Sequence, residues 1–372
     1  MKHQLQHFFK LTGFLLLTAL AFACRKDTPF DEDSEQGAKT PSLTVKGLYV
    51  LNEGNWGSNK SSLDYYSYDD GKYTRNIFGT ANPAVTLGLG DVGNDIKIYG
   101  AKMYVVVNGS NKVEILNASN ARQVAKLEIN NPRYVTFYKN FAYITSYDGY
   151  VAMVDTTALS TIKTKIMVGN QPEEMAVVGN KLYVANSGGY NYPNYDRTVS
   201  VIDLTNNTEI KKIDVAINLD RLRADQYGDI YVSSRGQMDQ SGEYIINPSL
   251  FVIDTKTDLI KKDFKIPVSN FSINGDDAYL YSYSYATQKS TYVKLNVKDE
   301  TIVSNNFITD GTETLIATPY GIEVDPSSGD IFLTDAKDYV SPGTIYCFDK
   351  AGKKKFSFTT GDIPAHITFL FK

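Results

Sequence analysis

The chain has 372 residues with 38 basic and 42 acidic side chains, a formal net charge of −4, and 42% hydrophobic and 12% aromatic content, which excludes disorder over its whole length. An acidic balance without a long basic run excludes a phosphate-backbone binder, so no nucleic-acid partner is expected. Two Cys and three His exclude a disulfide framework or a His- and Cys-rich metal centre, so neither metal nor cofactor is expected, and the 27 Tyr become the compositional feature to explain.

Lys2 and Lys10 flank a polar start, and Leu11 to Ala23 is a largely apolar run that ends at Cys24. The run is shorter than the roughly 20 residues a membrane-spanning helix needs and has the layout of a signal peptide, so residues 1–23 are read as removed. A Cys directly after Ala23 resembles the looser lipobox of Bacteroidetes-type bacteria, which makes Cys24 the lipidated first residue; an ordinary secretory signal with an incidental Cys is the alternative. Residues 24–44 carry Asp27, Asp31, Glu32, Asp33 and Glu35 without hydrophobic periodicity, and read as a solvated acidic tether. Acidic residues just after such a Cys resemble a surface-export signal, so the expected location is the outer membrane, lipid-anchored and facing outward.

From residue 45 to 372 one unit recurs about every 47 residues: a Tyr- or Phe-bearing strand, a loop, a second strand ending in Asp or Asn, and a turn. The aromatic strands lie at 47–52, 102–108, 141–145, 181–186, 229–233, 278–281 and 330–334. A polar third strand follows each turn, as at 209–213, where its charges suit an outer edge. A short strand precedes every aromatic strand but the first, and the chain ends on an extra one, Ala365 to Phe371. Lending that strand to the first unit predicts an all-β, seven-bladed propeller of four-stranded blades, its ring closed between the termini.

The Tyr-Val-Ala-Asn of 183–186, with Val-Ile-Asp at 201–203 and Lys-Lys-Ile at 211–213, resembles the YVTN-type repeat, and residues 45–372 resemble the YncE-like propellers of Bacteroidetes. Leu51 to Gly57 and the last unit, from Tyr320 through Tyr339 to Pro364, resemble a subgroup of BtuG-like surface lipoproteins. That resemblance implies capture of cobalamin or another corrinoid, as transported ligand rather than cofactor, and docking on a TonB-dependent outer-membrane transporter. The membrane would then be met through the lipid anchor alone.

Loops on one propeller face are the expected site. The loops at 186–197 and 233–249 exceed what a hairpin needs. They and their counterparts supply Trp56, Tyr147, Tyr190, Tyr192, Tyr195, Arg197, Arg235, Tyr244, Asp335 and Tyr339. The starts of the inner strands supply Arg133, Tyr134, Arg221, Tyr320 and His366, with Glu173, Glu174, Asp220 and Asn270 in the same ring. Aromatic faces cover apolar area while Asn, Asp and Arg bond amides or phosphate, which suits a bulky amphipathic ligand. Strand tyrosines such as Tyr104, Tyr183 and Tyr231 are read as inter-blade core, and Cys347 as a small buried strand residue. Glu173 and Glu174 would share a proton only if a bulge interrupted the strand alternation. With no paired His and no Asp-box motif, no enzyme is expected; a glycan- or peptide-binding or scaffolding propeller, and a carboxylate-based hydrolase or lactonase, are the other readings.

Overall fold

Runs of β-branched and aromatic residues bounded by Asx and Gly turns pair here into antiparallel sheets, in a computed structural model that describes residues 44–372, Ser160 excepted. The expected signal segment, the lipidated Cys24 and nearly all of the tether lie outside the described residues. Seven four-stranded sheets form the blades of a β-propeller, five of them from consecutive strands and a sixth interrupted only by a small hairpin. Blade 1 joins the termini: Pro364–Phe371 pairs antiparallel with Val45–Asn52, which continues to Ser62–Ser67 and Tyr73–Thr74. Blades 2 to 7 then begin with inner strands Gly93–Tyr99, Pro132–Tyr138, Pro172–Val178, Leu219–Ala224, Asn270–Asn274 and Pro319–Val324.

The second strand of each blade is apolar on both faces because both faces meet a neighbour. In Lys181–Asn186, Leu182 and Val184 pack toward blade 3, and Tyr183 and Ala185 toward blade 5. One apolar cluster fills each blade interface around the ring. The strand tyrosines do more than fill volume. The Tyr49 hydroxyl donates to Ala118 O at 2.6 Å, Tyr183 to Asp258 Oδ1 at 2.8 Å and Tyr231 to Val297 O at 3.1 Å. Each ring therefore lies in one interface while its hydroxyl pins the outer turn of the next blade. Blade 7 has Phe332 at this position, without a hydroxyl, in the interface with blade 1.

Cys347 is fully buried in that same interface, beside Phe332 and Ile345. Burial, aided by Asp330, pushes its thiol up to about 12. With Cys24 replaced by serine, the native protein is expected to give no reaction with a disulfide reagent at mildly alkaline pH, and to react only after unfolding in guanidinium. A thiol that titrates before unfolding would mean that the closing interface opens spontaneously.

Candidate functional site

The inner strands are not regular at the loop-bearing end. In blades 2, 3, 4, 5 and 7 the register against the second strand slips near the first residues, as between Pro172 and Met175. A bulge of this kind re-aims side chains. Hydroxyls of the second strands receive the N–H groups that the slip frees: Thr145 from Tyr134 at 3.0 Å, Ser233 from Arg221 at 3.1 Å and Thr334 from Gly321 at 2.7 Å. Glu173 and Glu174 thus sit on the local bulge that alternation alone would forbid, yet they still diverge. Glu173 meets Arg133, Arg235 and Tyr147, whereas Glu174 accepts from Leu222 N at 3.1 Å and lies 3.6 Å from Arg223.

The re-aimed side chains close the channel mouth. Arg133 Nε binds Glu173 Oε2 at 2.9 Å, and its guanidinium lies 4.5 Å from the Tyr147 ring centre. Arg235 reaches Glu173 Oε1 at 3.4 Å and Asp220 Oδ1 at 2.7 Å. Tyr134, from blade 3, receives a hydrogen bond from Arg221 of blade 5 and stands edge-on to His366 of blade 1, ring centres 6.3 Å apart. Deeper in the channel, Arg223 of blade 5 binds Glu323 of blade 7 at 2.9 Å. Burial pushes the Tyr134 and Tyr147 hydroxyls up, so both stay protonated at neutral pH. Burial pulls the Arg133 guanidinium down, but Glu173 with Tyr147 and Tyr134 more than offsets it. This hydrogen-bonded plug draws side chains from blades 1, 3, 4 and 5 together.

Above it, a cleft of about 1290 Å³ spans the loop ends of blades 4 to 7. Its floor is charged: Asp220, Arg221 and Arg235. Its walls are aromatic, with Tyr192 and Tyr195 on one side, Tyr244 on a second, and Tyr283, Tyr285 and Tyr320 on a third. The Tyr192 wall is fixed by Asp196, whose carboxylate accepts from Thr198 N at 3.0 Å and Asn170 N at 2.8 Å. The Tyr244 wall is a small hairpin, Gln237–Met238 against Tyr244–Ile246, absent from the other blades. Gly236 at its base has φ +64°, and a Cβ there would lie 2.2 Å from Ile246 O, so only glycine closes it.

A family model described as a domain of unknown function, DUF5074, matches residues 46–369. The chain belongs to the DUF5074 family. Solved structures with a similar fold include a quinoprotein alcohol dehydrogenase-like protein of Bacteroides thetaiotaomicron, with TM-score 0.61, 14% identity, and 87% of this chain and 78% of that one covered. Apo AztD from Citrobacter koseri superposes with TM-score 0.55 and 12% identity over 88% of this chain and 98% of that one. The hydrazine synthase of Kuenenia stuttgartiensis does so with TM-score 0.54 and 15% identity over 68% and 76%. These likenesses are of fold. No curated protein matches the chain.

In this DUF5074 propeller, Tyr192, Tyr195, Arg221, Arg235, Tyr244 and Tyr320 converge on the cleft. Arg133, Tyr134 and Tyr147 lie beneath it in the plug, and Tyr190 packs edge-on to Tyr147 at 5.1 Å. Tyr339 joins from the side, its hydroxyl 3.0 Å from that of Tyr285 and its ring 5.8 Å from that of Tyr320. His366 lies 3.5 Å from Glu53, which also accepts from the Tyr320 hydroxyl at 2.8 Å. Trp56 is 68% exposed on the blade 1 loop, one residue from Asn55, whose amide donates to Tyr339 O. Two residues stand apart. Arg197 is exposed and paired with Asp214 at 2.6 Å just before the strand Thr198–Asp203. Asp335 is buried, its carboxylate taken by the N–H groups of Thr318 at 2.8 Å and Lys337 at 2.9 Å. Glu53, Tyr283 and Tyr285 fall in segments that the sequence predicts as loops of the expected face, without singling them out, and Tyr281 was not anticipated as a site residue. The alternation Tyr279, Tyr281, Tyr283, Tyr285 was the available signal, since period two puts the first three on one face of Asp277–Ser284 and carries Tyr285 into the turn just beyond it.

Proposed function

We propose that the protein captures a bulky amphipathic ligand of the corrinoid class, cobalamin foremost, and delivers it unchanged to a TonB-dependent outer-membrane transporter from a lipid anchor at the cell surface. The observation that carries this reading is the cleft of about 1290 Å³, larger than the roughly 300–1,000 Å³ typical of small-molecule sites, with aromatic walls over a charged floor. Rings such as Tyr192 and Tyr244 cover the faces of a broad macrocycle, while the floor bonds its polar fringe. The plugged channel supports entry and release through one face. Divergence of Glu173 from Glu174, with the former held by two guanidinium groups, supports holding a ligand over carboxylate catalysis.

Titration of the purified protein with cyanocobalamin, followed by calorimetry and by quenching of Trp56, the sole Trp, tests this. Saturable binding without turnover is expected. Tyr192→Ala and Tyr244→Ala are each expected to weaken it by about tenfold, the scale of an anchoring aromatic, and Arg197→Ala to leave it unchanged. No binding at high micromolar ligand removes the corrinoid reading. Saturable binding of an oligosaccharide or peptide that cyanocobalamin does not displace would replace it with the glycan or peptide alternative.

A further inference from the structure

Arg221 differs from the other guanidinium groups around the channel mouth. Arg133 is hydrogen-bonded to Glu173, Arg235 is paired with Glu173 and Asp220, and Arg223, whose Nε is also buried without a hydrogen-bond partner, is hydrogen-bonded to Glu323 through Nη1. Among the described residues Arg221 hydrogen-bonds only to a neutral group, the Tyr134 hydroxyl, through Nη1. Its Nε is buried without a hydrogen-bond partner, and the nearest carboxylate oxygen, Asp220 Oδ2, is 3.8 Å away. Among the described residues no acceptor binds Nη2 either. The Nε–Nη2 edge is the side of the fork that grips an oxyanion through two parallel bonds, and Arg221 lines the cleft floor.

The surrounding charges leave this edge available. The floor and plug hold Arg133, Arg221 and Arg235 against Glu173 and Asp220, both engaged by Arg133 or Arg235, and Glu174, which also acts on Arg221, is taken by Leu222 N and Arg223. The other acids lining the cleft serve their own loops: Asp239 accepts from Ser241 N and Glu243 N, and Asp263 from Lys265 N. Lys265 adds a further cation to the wall. A buried donor such as Nε without an acceptor is costly, and an oxyanion from the ligand spanning Nε and Nη2 would satisfy it.

We propose that Arg221, with Arg235 beside it, forms an oxyanion subsite on the cleft floor that takes a phosphate or phosphodiester of the ligand. This rests on the capture reading and names the ligand chemistry its floor selects. A ligand carrying a phosphodiester is then held over one that shares its macrocycle and lacks that group.

The test compares cyanocobalamin, which carries a phosphodiester, with dicyanocobinamide, which does not, and adds inorganic phosphate alone. The wild type is expected to prefer cyanocobalamin by about 10- to 100-fold, the scale of a bidentate charged contact. Arg221→Gln should remove the preference by weakening cyanocobalamin alone. Arg221→Lys, which keeps the cation but not the fork, should retain part of it, and it stands in if the glutamine variant does not fold. Phosphate should raise the wild-type Tm and not that of Arg221→Gln. Equal weakening of both corrinoids, or of neither, overturns the subsite. If neither corrinoid binds yet phosphate stabilises through Arg221, the subsite stands and the corrinoid reading falls. If phosphate has no effect and neither corrinoid binds, both fall.

Discussion

Gly321→Ala is expected to destabilise the protein by about 3 kcal/mol, at the upper end of what over-packing costs, because it strikes the seam of the ring. Gly321 lies on the inner strand of blade 7, and a Cβ there would stand 2.2 Å from Ala365 O and 2.8 Å from Ala365 C. Both atoms belong to the backbone of the closing strand Pro364–Phe371, so no rotamer relieves the clash. The contact is also where the closure is stitched: Thr334 Oγ1 receives Gly321 N at 2.7 Å and donates to Pro364 O at 2.5 Å. Moving the strand breaks that relay and loosens its pairing with Val45–Asn52. An opened ring exposes strand edges, so aggregation should accompany the loss. Urea unfolding reads the effect as a lower midpoint. Gly189→Ala is the control: its added Cβ would meet only Ser187 Oγ at 3.4 Å, and it should change stability by less than about 1 kcal/mol. A Gly321→Ala protein as stable as the control would mean that the seam yields freely.

Legibility divides between architecture and site along a physical line. The blades are local objects: Tyr183, the turn after Asp203 and the charged edge strand all fall within one repeat, so period and turn chemistry disclose them. The closure was equally visible, since a last strand without a unit had one place to go. The cleft is not local. Its walls come from Tyr192, Tyr244, Tyr285 and Tyr320, and their convergence depends on how far each loop folds back over the ring. The hairpin that carries Tyr244 has no counterpart in other blades, so the repeat could not announce it. The bulges were hidden for a different reason. A one-residue slip leaves the hydrophobic pattern of a short inner strand almost unchanged, yet it decides that Glu173 faces Arg133 while Glu174 faces Leu222 N. Asp335 shows the converse. A loop acid beside a pocket resembles a ligand group, but its oxygens are already committed to backbone donors.

Glu173→Leu is expected to cost about 3–5 kcal/mol, the range for removing one partner of a buried ion pair. Glu173 is fully buried, and its two oxygens serve Arg133 at 2.9 Å, Arg235 at 3.4 Å and the Tyr147 hydroxyl. The losses fall unequally. Arg235 retains Asp220 at 2.7 Å, but among the described residues Arg133 has no second carboxylate and would keep only the faces of Tyr147 and Tyr134. Cation–π contact at about 0.5–2 kcal/mol does not replace a paired, hydrogen-bonded carboxylate. The uncompensated Arg133 charge is therefore the main cost, which a second substitution can isolate. Arg133→Met in the Glu173→Leu background removes that charge and should recover most of the stability, because apolar replacement of both partners is often near neutral. Ligand binding should not recover with it, since Arg235 on the cleft floor has lost one of its two anchors. Melting and calorimetry on the two single variants and the double variant give the coupling energy directly. Stability that fails to return in the double variant would place the cost in the Tyr147 hydroxyl, left buried without its acceptor, and adding Tyr147→Phe to the double variant should then restore it.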